Sequence, residues 1–298
     1  MTHHYSDPDR IAQSAVLAML FELSSSPKPG NVDRCHDFPD IGFHHFLASA
    51  VSSYPIFREA ARAGEFGEGS DEKSGRGQAV GSLIRQAVAA WHLWGLKSNT
   101  HFGSLTLMMP IALAAARPGD LHDEVRRVLA ETTVSDAVEF YRAFRLAKAR
   151  VADVESFSLN DDGWEGDIGG SKKTLLELMR LSCGHDLIAR EWSTGFERTF
   201  ILADRIVEQT QEWGINDATV RVFLQALWEE PDSLICAKFG IEEARRVSKM
   251  AGEALLDETL NTAREIDAEL LEKDINPGST ADLIAAALFI ALLRGLRF

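Results

Sequence analysis

Cysteine is scarce in this sequence of 298 residues. The three cysteines, Cys35, Cys183 and Cys236, lie far apart and form neither a Cys-x-x-Cys pair nor a metal-finger spacing. This distribution indicates neither a disulfide framework nor a structural zinc site. The N-terminal stretch MTHHYSDPDR also lacks the basic-then-apolar order of a signal peptide. We therefore expect a cytoplasmic protein.

Basic residues are fewer than acidic residues. The sequence has 31 Lys and Arg against 45 Asp and Glu, which gives a formal net charge of -14. This balance argues against nucleic acid or an anionic membrane as the main partner. Any anionic ligand must therefore be held by a few local groups, and the oligomeric state stays open.

Long apolar runs are missing too. The two longest, residues 105–116 and 283–293, are shorter than the ~20 residues that span a bilayer. We expect both to form buried helices of a globular core.

The standard catalytic and nucleotide-binding signatures are also absent. The sequence has no Walker lysine loop, no Gly-x-Gly-x-x-Gly, no His-Glu-x-x-His and no Gly-x-Ser-x-Gly. The familiar chemistries that depend on these motifs are therefore not indicated.

Strand-type alternation is almost absent, whereas helical spacing of apolar residues recurs from Ile11 to the C-terminus. The pattern predicts an all-α globular bundle of about ten to twelve helices with no significant sheet, and one domain over residues 1–298. Among the predicted helices are single ones over residues 171–192 and 240–273, and two separate ones over residues 196–213 and 216–230. The polar, Gly-rich residues 64–77 predict a mobile loop. Residues 157–170 form a second irregular patch.

Short polar segments stand at the ends of these apolar helices. They are PKPGNVDRCHDFPD (27–40), SNTHFG (98–103), AREWSTGF (189–196), EEPDSLICAKFG (229–240) and NPGSTAD (276–282). Helix starts offer free backbone N–H groups that can bind phosphate, so convergence of several would make an anion site. Each segment also has a structural alternative. Pro-x-Pro-Gly stops a helix, Ser98, Asn99, Ser279 or Thr280 could cap one, and His101 could lie in the core.

Together, these segments resemble the triphosphoribosyl-dephospho-CoA synthase family. The family pattern Pro-Lys-Pro-Gly-x-Val-Asp-Arg is complete at residues 27–34, and Asn-Thr-His-x-Gly is met at residues 99–103. Residues 189–196 and the Pro-Gly-x-x-Ala-Asp of residues 277–282 extend the similarity over nearly the whole chain. The resemblance implies that a ribose hydroxyl of 3'-dephospho-CoA attacks the anomeric carbon of ATP, and that adenine leaves.

Two segments depart from the family pattern. After the arginine stands CHDFPDIGF, which keeps acids at Asp37 and Asp40, and near the C-terminus stands PDSLICAKFG, with Lys238 as the nearest cation. These changes leave two alternatives open: a related pentosyl transferase with a different acceptor in cofactor biosynthesis, or a non-catalytic nucleotide-binding helical protein.

The resemblance also suggests residue roles. Asp33 and Asp37 would stabilise the oxocarbenium-like charge and take the hydroxyl proton, and His101 would serve the leaving base. Mg²⁺ would be bound by Asp232 and Asp282 and would neutralise part of the triphosphate charge. We expect the nucleotide- and substrate-binding residues to be Lys28, Gly30, Arg34, Asn99, Thr100, Gly103, Glu191, Lys238, Gly278 and Ser279. Six of the candidates are expected to line one pocket: Lys28, Asp33, Arg34, Asn99, His101 and Asp282.

Overall fold

The structure is a computed structural model that describes residues 7–38, 41–65, 80–96, 99–148, 170 and 172–298. Within these residues the chain forms thirteen α-helices and one 3₁₀ turn, Trp91–Trp94. The α-helices are α1 (Pro8–Ser24), α2 (Phe43–Glu65), α3 (Val80–Ala90), α4 (Phe102–Ala115), α5 (Leu121–Ala130), α6 (Val134–Ala147), α7 (Leu175–Ser182), α8 (Leu187–Thr194), α9 (Glu197–Glu229), α10 (Ser233–Phe239), α11 (Ile241–Ala254), α12 (Asn261–Glu272) and α13 (Gly278–Leu293).

The predicted all-α class is confirmed. In the described part of the chain, β-type pairing is limited to two isolated bridges, Asp33 with His36 and Phe38 with Ile41. The number of helices, however, exceeds the predicted ten to twelve. Most of the predicted loop 64–77 and of the irregular patch 157–170 lies outside the described residues.

Two predicted helices are each divided into two. The segment 171–192 forms α7 and α8, because the carboxylate of Asp186 accepts a hydrogen bond from the Ala189 amide at 2.8 Å and starts a new helix. The segment 240–273 forms α11 and α12, separated by a turn in which Asp257 accepts bonds from the amides of Thr259 and Thr262. Apolar periodicity continues across both turns, so the sequence pattern hides them.

Helix α9 is a helical hairpin. Its residue Gly214 has non-helical backbone angles, with φ 71° and ψ 167°. The Gln209 amide donates to Gln225 at 3.1 Å, and Arg198 donates to Glu230 at 2.6 Å, so the two halves run antiparallel. The sequence prediction of two helices, one on each side of Gly214, is therefore confirmed.

Two compact units make up the chain. The first contains Met1–Val16 and Ala48–Glu197, and the second contains Leu17–Leu47 and Arg198–Phe298. The core of the first unit is α4, which is buried at every position except Gly103 and contacts α3, α5 and α8. A helix that is apolar on all sides is stable only when other elements surround it.

The second unit is built around α13. Its residues from Thr280 to Leu293 are buried except Asp282, and it packs against α10, while α11 packs against α10 and α12. The apolar runs 105–116 and 283–293 thus fall in the buried helices α4 and α13, as predicted. None of the helices in the described ranges is both long and apolar enough to cross a membrane.

Candidate active site

The first motif of the sequence, residues 27–34, follows α1 in the second unit, and the second half of α9 holds its start. The Asn216 side chain donates to the carbonyl oxygen of Ser26 at 2.9 Å and accepts a bond from the Ser26 amide at 3.1 Å. Asn216 stands two residues after the hairpin turn at Gly214, and the Ser26–Pro27 peptide bond is cis. This pair of hydrogen bonds fixes the backbone where the motif begins.

Lys28 lies inside the second unit. Its side chain is fully buried, and its ammonium group donates to the carboxylate of Glu22 in α1 and to Asn31 Oδ1 at 3.0 Å. Asn31 in turn donates to Asn276 Oδ1 at 3.0 Å. Burial raises the pKa of the Glu22 carboxyl, although Lys28 opposes that shift. The lysine therefore ties the motif to α1, and its predicted contact with a triphosphate stays a prediction.

Gly30 is required by two features of its position. Its φ is +73°, and an added Cβ would lie 2.3 Å from the Ile275 carbonyl oxygen and 2.9 Å from Leu270 Cβ. Its amide donates to Asp267 Oδ1 at 2.9 Å. Only glycine allows the backbone to approach α12 this closely.

Asp33 is fully buried, and its two carboxylate oxygens differ in their surroundings. Oδ1 accepts hydrogen bonds from the amides of Cys35 at 2.7 Å and His36 at 3.1 Å. Oδ2 is also buried, yet it accepts no hydrogen bond from any residue that the structure describes. A buried carboxylate oxygen without a donor is unfavourable, so this atom marks a place where a ligand or ion would be stabilised.

His36 and Asp267 complete a cluster with Asp33. His36 Nδ1 lies 2.9 Å from Asp267 Oδ2 and 3.4 Å from Asp33 Oδ1. One donor atom from each of the three residues lies within 4.8 Å of the others. Burial raises the pKa of Asp267 to about 6, against the opposing effects of the Gly30 amide and His36.

The remaining acidic and basic candidates of this segment lie at the surface. Arg34 and Asp37 are exposed. Asp37 Oδ1 accepts a bond from the Phe43 amide at 2.5 Å, and an added Cβ at Gly42 would lie 2.7 Å from this carboxylate. Asp37 therefore caps α2 and keeps one side of its carboxylate accessible, while Asp40 lies outside the described residues.

Asp232 joins the starts of two helices. Its Oδ1 accepts from the amides of Leu234 and Ile235 in α10, and its Oδ2 accepts from the amide and hydroxyl of Thr280 in α13, at 2.7 to 3.1 Å. Burial raises its pKa against these four bonds. Both oxygens are thus engaged by protein donors, a geometry of a cap rather than of an open metal ligand. The alternative in which Ser279 or Thr280 caps α13 is wrong, because the helix begins at Gly278 and the Thr280 amide and hydroxyl both donate to Asp232.

Other C-terminal candidates lie around this cap. Ser233 donates to the hydroxyl of Ser279 at 3.0 Å, and a Cβ at Gly278 would lie 2.9 Å from a Leu234 methyl carbon. Lys238 is exposed in the last turn of α10. Asp282 is half-buried in α13.

The second motif, residues 99–103, lies in the first unit. Asn99 Oδ1 accepts from the Phe102 amide at 3.0 Å and so caps α4, as the structural alternative proposed. His101 is buried, and its Nδ1 lies 2.5 Å from the hydroxyl of Ser49. Thr100 Oγ1 is buried without a hydrogen-bond partner among the described residues, and Gly103 is half-buried.

Glu191 is also in the first unit, buried in α8. Its carbonyl oxygen accepts from the Phe196 amide at 2.8 Å, past Gly195, which ends α8 at φ 74°. Residues 28–37 belong to the second unit and residues 99–103 to the first. The predicted single pocket stays a prediction.

Comparison with known proteins gives the family. The sequence model of the CitG family, ATP:dephospho-CoA triphosphoribosyl transferase, matches residues 8–297. The chain belongs to the CitG family. It is therefore a transferase, and the resemblance noted from its motifs is confirmed.

Other CitG-type proteins are similar over almost their full length. A probable 2-(5''-triphosphoribosyl)-3'-dephosphocoenzyme-A synthase of Pseudomonas putida is 28% identical over 289 residues, covering 95% of this chain and 94% of that protein. A protein of the same description from Streptococcus equi subsp. equi is 25% identical over 304 residues, with 96% and 97% covered. A crystal structure from Archaeoglobus fulgidus, described as a candidate triphosphoribosyl-dephospho-CoA synthase, matches with TM-score 0.67 and 29% identity, covering 84% of this chain and 100% of that one.

Sequence reasoning missed three side chains of this candidate site. His36 stands within the segment CHDFPD, so its place directly after the motif was an available signal. Glu22 and Asp267 carried no such signal, because neither lies within one of the motif segments. Asp267 accepts a hydrogen bond from the amide of Gly30, which lies 237 positions away, and only the fold brings these two residues together.

Proposed function

We propose that this protein transfers the triphosphoribosyl group of ATP to a ribose hydroxyl of 3'-dephospho-CoA and releases adenine. The observation that supports this most directly is the complete motif of residues 27–34. This motif is folded around a buried carboxylate, Asp33, whose Oδ2 has no donor among the described residues. The CitG family match over residues 8–297 supports the same reaction.

The reaction has a balanced course. The acceptor oxygen forms a bond to the anomeric carbon of ATP, the bond from that carbon to adenine breaks, and the triphosphate is retained. Positive charge develops on the sugar, the hydroxyl loses its proton, and the departing adenine gains one. A carboxylate and a proton donor are the groups that this course requires.

Asp37 is suited to take the hydroxyl proton. It is exposed, and its Oδ1 is oriented by the Phe43 amide, so the other oxygen is available. His101 is proposed to serve the adenine, and the Ser49 hydroxyl 2.5 Å from its Nδ1 fixes the plane of the ring. Asp33 is proposed to stabilise, from its buried position, the positive charge that develops on the sugar.

A divalent cation fits the cluster of Asp33, His36 and Asp267 better than the pair predicted from sequence. Asp232 already accepts four hydrogen bonds, whereas Asp33 Oδ2 accepts none from the described residues. An ion held there would neutralise part of the triphosphate charge. A carboxylate that binds an ion does not also accept a proton, so in this arrangement the proton falls to Asp37.

Two of the three candidate cations are exposed, and these two are proposed to bind the triphosphate. Arg34 is exposed and offers a planar fork for phosphate oxygens, and Lys238 offers a point charge. Lys28 keeps the motif in place through its buried pairing with Glu22 and Asn31. The other proposed nucleotide- and substrate-binding residues are Gly30, Asn99, Thr100, Gly103, Glu191, Gly278 and Ser279.

The identity of the acceptor stays open, because residues 35–43 and 231–240 differ from the family pattern. A related pentosyl transferase with another acceptor would carry out the same chemistry at ATP. Mass spectrometry of products from ATP, a divalent cation and a panel of acceptors separates these functions. We expect a mass gain equal to triphosphoribosyl on 3'-dephospho-CoA, together with free adenine.

Other results would contradict the proposal in different ways. The same mass gain on a different acceptor would establish the alternative transferase. Binding of ATP with no adenine released by any acceptor would reject the transfer altogether and favour a nucleotide-binding protein.

A further inference from the structure

Three metal-binding side chains meet in the second unit. One oxygen from Asp33, one from Asp267 and a ring nitrogen of His36 lie within 4.8 Å of one another. Both aspartates are buried, whereas the His36 side chain is 42% exposed. An ion can therefore reach the carboxylates from solvent past the imidazole.

The backbone holds both carboxylates ready. Asp33 Oδ1 is fixed by the amides of Cys35 and His36, and Asp267 Oδ1 is fixed by the amide of Gly30 at 2.9 Å. Asp33 Oδ2 is then left without a donor among the described residues, and Asp267 Oδ2 faces the imidazole of His36. Groups held in advance by hydrogen bonds lose little entropy when an ion binds.

His36 acting alone as a cation does not satisfy this arrangement. Its Nδ1 lies 2.9 Å from Asp267 Oδ2, but it approaches Asp33 through Oδ1, which already accepts two backbone bonds. Asp33 Oδ2 stays buried without a donor from the described residues. A metal ion accepts lone pairs from both carboxylates and from the ring nitrogen, so it satisfies all three groups together.

The donor set also selects the kind of ion. Mg²⁺ is bound by oxygen ligands and retains its waters, whereas an imidazole nitrogen favours first-row transition metals. We propose that Asp33, His36 and Asp267 bind one first-row divalent transition metal ion, represented by Mn²⁺, more tightly than Mg²⁺. This rests on the proposed function for what the ion does, but binding itself needs no nucleotide.

The test is a titration of the full chain with MnCl₂ and, separately, with MgCl₂, without ATP. Calorimetry and the loss of the free Mn²⁺ EPR signal should both give one ion per chain, with Mn²⁺ bound at least about tenfold more tightly than Mg²⁺. Pulsed EPR of the bound Mn²⁺ should show coupling to an imidazole nitrogen.

Two variants assign the ligands. His36→Gln should remove the nitrogen coupling and weaken Mn²⁺ binding by about tenfold or more, with little change for Mg²⁺. The asparagine of Asp267→Asn can still accept the hydrogen bond from the Gly30 amide, but this variant should bind both Mn²⁺ and Mg²⁺ more weakly. The matched control is His44→Gln, because His44 is an exposed histidine near the start of α2 that lies outside the cluster. This variant should bind Mn²⁺ as tightly as the unmodified chain does. Cys35→Ser should also leave binding unchanged, which excludes a thiolate ligand.

Three results would overturn the proposal: no Mn²⁺ bound by the unmodified chain, equal affinity for Mg²⁺, or nitrogen coupling retained in His36→Gln. Melting temperatures without metal show whether each variant is folded. The adenine-release assay is read separately. Tight Mn²⁺ binding without adenine release would reject the proposed transfer and leave the metal site standing, and the reverse result would reject the site alone.

Discussion

The ammonium group of Lys28 is buried against the carboxylate of Glu22, which lies six residues earlier in the last turn of α1. Both side chains are almost completely removed from solvent. A buried pair stabilises a fold only while both charges are present, since removal of one leaves the other uncompensated.

Glu22→Gln should therefore destabilise the protein by about 3 to 5 kcal/mol. The glutamine keeps the shape and an acceptor for Lys28, so the loss reports the charge. The double variant Glu22→Gln/Lys28→Met should recover much of the stability. Urea unfolding followed by circular dichroism measures both, and a single variant as stable as the unmodified chain would contradict the pairing.

Gly30→Ala should destabilise more than Gly95→Ala. Both glycines have φ near +70°, but a Cβ at Gly30 would collide with the Ile275 carbonyl oxygen at 2.3 Å, whereas Gly95 has open space. The left-handed backbone alone costs about 1 to 2 kcal/mol for alanine, and this should be the whole effect at Gly95. Equal losses in urea unfolding would show that the close approach to α12 is unimportant.

Asp37→Asn should reduce adenine release by about 100-fold or more and leave ATP affinity nearly unchanged. The asparagine can still accept the Phe43 bond but cannot take a proton. The matched control is Asp120→Asn, because Asp120 is also an exposed aspartate that caps a helix, α5. Initial-rate assays and calorimetric titration with ATP give the two quantities. Parallel loss of affinity and turnover would make Asp37 a binding group.

Arg34→Ala should weaken ATP binding by about 1.5 to 3 kcal/mol, the range for a hydrogen bond to a charged group. The net charge of -14 repels ATP at long range, so ATP binding must depend on a few local cations, and the loss of one should be measurable. Arg245→Ala is the control, since Arg245 is exposed and paired with Glu242 in α11. An equal effect of both variants in calorimetry would indicate a general charge effect.

Asp232→Asn should lower stability without weakening metal binding. The substitution replaces a carboxylate oxygen by an N–H donor facing the donors of α10 or Thr280, and each buried donor left unsatisfied costs about 1 to 3 kcal/mol. Urea unfolding and the Mn²⁺ titration separate the two properties. Lost metal affinity at unchanged stability would restore Asp232 as a ligand.

Much of the fold follows from local sequence. The repeated helical spacing predicts the all-α class, and its separate runs 196–213 and 216–230 match the two halves of α9. The division of residues 240–273 was not predicted, because Asp257 forms its turn while the apolar period continues on both sides. Side-chain capping of this kind competes with a helix without changing the hydrophobic pattern.

The sequence by itself determined the family motif at residues 27–34, because stiff prolines, a glycine and charges within eight positions are a local pattern. Only the tertiary structure decided that Lys28 is buried against Glu22, that Asp232 caps α13 and that Asp267 meets Asp33 and His36. The first relationship spans six positions, whereas the other two join segments far apart in the sequence, 48 positions in the case of Asp232 and Thr280. The packing of helices sets such distances, and neither propensity nor spacing along the chain encodes them.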